Sequence, residues 1–264
     1  RQMAAEAVRR HGATLLALPP FDAAAIAALI DSRQRAGALP LELNQEQLAG
    51  RLLAETEGLP LFVTEYLDLL ATGALDPDAP DWPAPQGVRH FLHTRLAALS
   101  ETAQQIVSAA AVIGRSFDLE TVIAASGRSE EEGVGALEEL LARRLILEQN
   151  GNGFDFAHAQ LRSLVYAETS QVRRRLLHRR VADALAVNAR RSGAESASTA
   201  AALANHYQLG GATDKAAHWA AVAGEQARQV YANREAIAHF NLALALGAVA
   251  FGDAIPYVIH VHLG

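Results

Sequence analysis

The chain has 264 residues, half of them hydrophobic and a fifth charged, with a formal net charge of −6. That balance fits a globular protein of one to three domains with a real core and argues against a general binder of polyanions. The absence of cysteine excludes disulfides, thiol catalysis and thiolate metal sites, and the single lysine, Lys215, follows Asp214 rather than a glycine, which excludes a phosphate loop of the G-x-x-x-x-G-K-[ST] type.

Taken in chain order, Thr14 to Leu18 is a short apolar run closed by Pro19-Pro20. It predicts a buried strand, the last of a sheet whose other strands lie upstream, so 1–20 is expected to be the end of a core cut from a longer polypeptide. Asp22 opens a helix with Ile26, Leu29 and Ile30 inward, stopped by Gly37 and Pro40. Asn44 is a natural N-cap for a second helix carrying Leu48, Leu52 and Leu53. Gly58 breaks that helix and Pro60 suits the first position of a third, through Leu61, Val63, Leu67 and Leu70 to Gly73. These three helices form a subdomain over 21–75. The prolines and acids around Asp76, Asp78 and Asp81 predict a linker over 76–86.

Helices follow near 87–99, 101–113, 118–126 and 129–143. Leu145, Leu147, Phe154 and Phe156 then alternate on either side of Asn150-Gly151-Asn152-Gly153, the signature of a tight hairpin. Helices closed by a small hairpin predict a winged helix over 87–168. From there to 250 the chain reads as helical hairpins, broken near Ser170, Ser192-Gly193, Gly210-Gly211 and Tyr231-Asn233. Ala216, Trp219, Ala220 and Ala223, and at a matching offset Ala236, His239, Phe240 and Ala243, half repeat in the manner of stacked tetratricopeptide-like hairpins. The tail 251–264 alternates like a strand and departs from that pattern. The fold class expected is mainly α: helical lid, winged helix with one β-hairpin, then helical repeats.

The basic run Arg173 to Arg180 raises the question of nucleic acid. On a helix, Leu176, Leu177, Val181 and Leu185 make a buried stripe, and no aromatic residues interleave with the arginines, so a solvated or interdomain face is expected. The would-be recognition helix at 129–143 carries Glu130, Glu131, Glu132, Glu138 and Glu139, which would repel phosphates. His90 with His93, and His260 with His262, lack a third ligand nearby in sequence, and no catalytic residues are identified.

Several segments resemble the STAND class of AAA+-related signalling ATPases, in the branch of bacterial transcriptional regulators and cyclase-linked proteins. Leu15 to Phe21 is similar to its strand-end element, with Pro20 where a leucine is usual. Gly58-Leu59-Pro60-Leu61-Phe62 resembles the "GxPLF" element of the lid. Ala109 to Phe117 and Leu140 to Leu147 resemble its winged helix. Phe156, His158, Arg162 and Tyr166 match "FxHxxxRxxxY", and 203–211 with 231–246 resemble the first repeats. The resemblance implies that Gly58 and Pro60 line the adenine side of bound ATP or ADP, and that His158 senses the phosphates, with Arg162 one turn on in support. Ala159 stands where related resistance proteins carry an aspartate. Magnesium would be held only through an upstream half. The parent would be a slow ATPase switch whose repeats take protein partners or drive self-assembly, controlling transcription or a linked cyclase. No apolar run reaches membrane-spanning length and no signal peptide precedes the first domain, so the expected compartment is the cytoplasm, without membrane contact. The residues alone leave open a helical-repeat adaptor that binds no nucleotide, and a winged-helix DNA-binding regulator, which the five glutamates oppose.

Overall fold

The computed structural model describes residues 19–41, 43–149, 153–192 and 196–251. The expected strand at Thr14 to Leu18, the hairpin tip at 150–152 and the tail from 252 lie outside them. The described residues form twelve helices and one three-stranded antiparallel sheet, so the protein is mainly α. The chain divides into two compact units, ending and beginning at Phe91 and Leu92.

In the first unit, α1 (Ala23–Arg35) is capped by Asp22, whose side chain accepts from the Ala25 N–H, and α2 (Gln45–Thr56) by Asn44; both satisfy otherwise orphaned helix donors. α3 (Pro60–Ala71) has Pro60 at its first position. Ile26, Ile30, Leu48, Leu52, Val63, Tyr66 and Leu67 close the core. The inward face of α3 is built on Phe62 and Tyr66, while Leu61 is 44 % exposed. The buried Gln34 is satisfied on both sides: its amide nitrogen donates to the Pro40 and Leu43 carbonyls, and its oxygen accepts from Gln45.

The proline-rich stretch 76–86 is fastened to this core. Trp82 is buried, tilts against Tyr66 with ring centroids 5.4 Å apart, and donates its indole N–H to the Asp76 carbonyl. The Arg51 guanidinium lies 4.3 Å from the Trp82 ring and donates to the carbonyls of Pro77 and Ala79. α4 (Gln86–Ala97) follows.

The second unit opens on the order helix, strand, helix, helix, strand, strand: α5 (Glu101–Ile113), β1 (Ser116–Asp118), α6 (Leu119–Ser126), α7 (Glu130–Ala142), β2 (Ile146–Gln149) and β3 (Gly153–Phe156). β3 is central, pairing Phe117 with Phe154 on one side and Ile146 with Phe156 on the other. Helices closed by an antiparallel hairpin are thus present where the sequence led to that expectation. β1 adds a third strand to the expected hairpin, and its Phe117 ring stacks on Phe154 at 5.7 Å. Ile106, Val122, Leu137, Leu140 and Leu145 are buried beneath the sheet helices. Ser129 and Glu132 form a reciprocal capping box at the start of α7.

α8 (Ala159–Glu168) leads into α9 (Gln171–Ser192), α10 (Ala197–Leu209), α11 (Thr213–Gln229) and α12 (Asn233–Phe251). These last four pack as successive hairpins through small residues. Ala204, Ala220 and Ala243 share one cluster, and Ala227, Ala236 and Phe240 another. Gly224 lets the Phe240 ring approach so closely that an added Cβ would lie 2.8 Å from it. α9 is buried on two sides, by α5 and α6 and by α10. Its buried positions are therefore Leu177, His178, Val181, Ala182, Ala184, Ala186 and Ala189, while Leu176, expected in the stripe, is 38 % exposed.

Candidate functional site

The four residues singled out in the sequence fall two to each unit. Gly58 (φ 73°) follows Glu57 (φ 51°), so two successive left-handed residues end α2 and reverse the chain into α3. The Phe21 N–H donates to the Gly58 carbonyl at 2.8 Å, and the Gly58 N–H donates to Thr56 Oγ1 at 3.2 Å. A side chain at 58 would meet the Phe21 carbonyl oxygen at 2.0 Å. Gly58 is thus required first by backbone packing. Pro60 and Leu61, one step on, are both exposed, and Leu59 at the N-cap supplies no capping side chain to α3.

In the second unit His158 is the N-cap of α8, half-buried, directly after the central strand β3. Its backbone is pinned by neighbours on both sides: the Ala157 N–H donates to the Leu145 carbonyl and the Leu161 N–H to the His158 carbonyl. Arg162, also half-buried, donates from Nε to the Ala111 carbonyl at 3.1 Å. Ala111 lies in the last turn of α5, where carbonyls lack helical partners, so Arg162 ties α8 to the end of α5. Replacing Arg162 with methionine is expected to lower the unfolding free energy by about 1 kcal/mol, the worth of one such hydrogen bond, as read by urea denaturation.

Of the five acids on α7, two have internal duties. Glu132 completes the capping box, and Glu139 accepts from both the N–H and the hydroxyl of Ser100 and pairs with Arg143 at 3.1 Å. These bonds hold both carboxyls below the usual range, the Ser129 and Ser100 hydrogen bonds acting most strongly. Glu130, Glu131 and Glu138 face outward beside the half-open Val134, an outward face that remains repulsive to phosphates.

Sequence reasoning passed over a buried polar chain at the start of the repeats. The Tyr166 hydroxyl on α8 lies 3.0 Å from His178 Nε2 on α9, and His178 Nδ1 lies 2.9 Å from His206 Nδ1 on α10. Both imidazoles are buried. Burial first, then the neighbouring His206 and Arg174, holds His178 down to about 4, and burial also lowers His206. A second cluster joins α9 to α10 and α11: Asp183 accepts from the Tyr207 hydroxyl at 2.8 Å and from Lys215 at 3.2 Å, and burial with that hydrogen bond raises the Tyr207 phenol. Among the described residues no group of three or more His, Cys, Asp or Glu is placed to hold a metal ion, and no helix is long and apolar enough to cross a membrane.

No family model matches the sequence, and no curated protein does. Among solved structures, the chain is similar to a Signal Transduction ATPase with Numerous Domains (STAND) protein with a tetratricopeptide repeat sensor from Pyrococcus horikoshii, at 13 % identity and a TM-score of 0.47. The likeness covers 96 % of this chain and 34 % of that one, so the chain spans about a third of that protein's length.

Proposed function

We propose that this chain is the sensing and relaying portion of an ATP-dependent signal-transduction switch of the STAND class. An upstream half would hold the phosphates and magnesium. Gly58 and Pro60 would contact the adenine side, His158 the phosphates, and the helical repeats would carry the change to protein partners, with transcription or a linked cyclase as output.

The observation that carries the reading is the position of His158. His158 is the N-cap of α8, just after the central strand β3, and is partly exposed. A histidine there can donate to an anion, and a nearby phosphate favours its charged form. In the first unit, Pro60 and Leu61 present an exposed apolar edge beside a backbone that tolerates no side chain at 58, a surface on which an adenine ring would pack. ATP or ADP, when bound, would supply the chemical difference between the two states. The chain's own residues would only read it.

The test is His158→Ala in the full-length polypeptide, measured as ADP retention. Retention is expected to weaken about tenfold, the worth of one charge-assisted hydrogen bond, while thermal unfolding of the winged helix stays unchanged. Equal retention by the variant rejects the sensor role and leaves a helical-repeat adaptor. Winged-helix DNA binding is opposed by the outward carboxylates of Glu130, Glu131 and Glu138.

A further inference from the structure

We infer that Tyr166, His178 and His206 form a one-proton latch that fastens α8, the last helix of the winged helix, to the first helical hairpin, and that releases it when a further proton enters. The inference rests on contacts within the second unit and does not depend on the nucleotide reading.

At 2.9 Å the two Nδ1 atoms are in hydrogen-bond contact, so between two neutral rings one must donate N–H and the other must accept. That choice sets the rest of the chain. If His178 donates through Nδ1, its Nε2 accepts from the Tyr166 hydroxyl; if it accepts there, its Nε2–H donates to the Tyr166 oxygen. Either way every ring nitrogen of His178 is used, by a helix on each side. The rings also pack against one another, Tyr166 edge-on to His178 at 5.9 Å and His178 tilted on His206 at 5.1 Å.

Protonation acts against this arrangement. A single added proton leaves one ring still accepting across the Nδ1 pair but makes a buried imidazolium, and the charged and titratable groups facing it supply no counter-charge. From α8 comes Tyr166, from α10 the basic His206, and from its own helix Arg174, whose guanidinium lies 5.0 Å from the Tyr166 ring. α5 and α6, packed on the other side of α9, bring no carboxylate that acts on His178 among the described residues. A second proton would turn the two Nδ1–H groups head-on. A buried charge without a counter-charge is expensive.

The sign follows. An imidazole in the unfolded chain titrates near ~6.5, whereas His178 is held at about 4, so on acidification the opened form takes up the proton first. The latch is whole above pH ~6.5 and weakens steadily as pH falls towards 4.

The experiment uses the intact chain with ¹⁵N-labelled histidine. At pH 7 NMR is expected to show one of the two facing Nδ1 atoms protonated and the other bare, with a nitrogen–nitrogen coupling across the bond. Hydrogen exchange, corrected for its intrinsic pH dependence, is expected to show α8 and α10 amides losing about tenfold more protection than those of α11 between pH 7 and pH 5. The same acid step is expected to vanish in a His178→Gln, His206→Gln double variant. The latch is overturned if both rings titrate as ordinary exposed imidazoles, if the coupling is absent, or if the folded double variant keeps the acid step. The wild-type titration decides the matter even if that variant does not fold.

Discussion

Gly58→Ala is expected to destabilise the first unit by about 3 kcal/mol. Two effects add. At φ 73° an L-residue pays roughly 1–2 kcal/mol for the left-handed conformation, and its Cβ would be driven to 2.0 Å from the Phe21 carbonyl oxygen. That oxygen belongs to a backbone whose N–H is itself bonded to Gly58, so it cannot move aside without breaking the contact. Gly37 is the internal control: its φ is 71°, but nothing lies within 4 Å of an added Cβ, so Gly37→Ala should cost only the conformational part, about 1 kcal/mol. Urea unfolding followed by Trp82 emission, in a Trp219→Phe background, separates the two. Equal losses at both positions would mean that the Phe21 contact relaxes freely and that position 58 is not sterically closed.

Trp82→Ala is expected to cost about 3–5 kcal/mol, the range for emptying a large aromatic site in a core. The substitution removes the ring from Tyr66, ends the indole bond to Asp76, and strips Arg51 of its aromatic partner. Calorimetry reads the loss, and limited proteolysis reads its place. Cleavage should appear between Asp76 and Gln86 in the variant and not in the parent chain at the same temperature. A loss under 1 kcal/mol, with no new cleavage, would show 76–86 to be held by its backbone bonds to Arg51 alone.

That second case shows where the sequence was readable and where it was not. Prolines and aspartates around Trp82 have the composition of a linker, and composition carries no information about which core one tryptophan will enter. The caps at Asp22 and Asn44, Pro60 at the head of α3 and the hairpin strands around Phe154 and Phe156 were legible because each rests on local stereochemistry. β1 was not. Ser116 to Asp118 is too short to show alternation, and it becomes a strand only because β3 offers it an edge. The partial repeat of Ala216, Ala220 and Ala223 with Ala236, Phe240 and Ala243 is legible as packing, since all six are buried.

The candidate site was read unevenly. Gly58 and Arg162 stand out in the sequence, and both have structural work, against Phe21 and Ala111 respectively. His178 was hidden by its surroundings. It sits among arginines, and a run of cations reads as a wet surface. Only the packing of α9 between two sets of neighbours turns that one position inward. His206, 28 residues away, cannot be paired with it by any local pattern.

The closeness of α11 and α12 has a mechanical meaning. Where Phe240 rests directly on Gly224, the ring meets backbone, with no opposing side chain at that point to change rotamer and absorb a push. Close-packed interiors are poorly compressible. A load applied to α12 is therefore expected to move α11 with it, towards Lys215 and its Asp183 partner on α9.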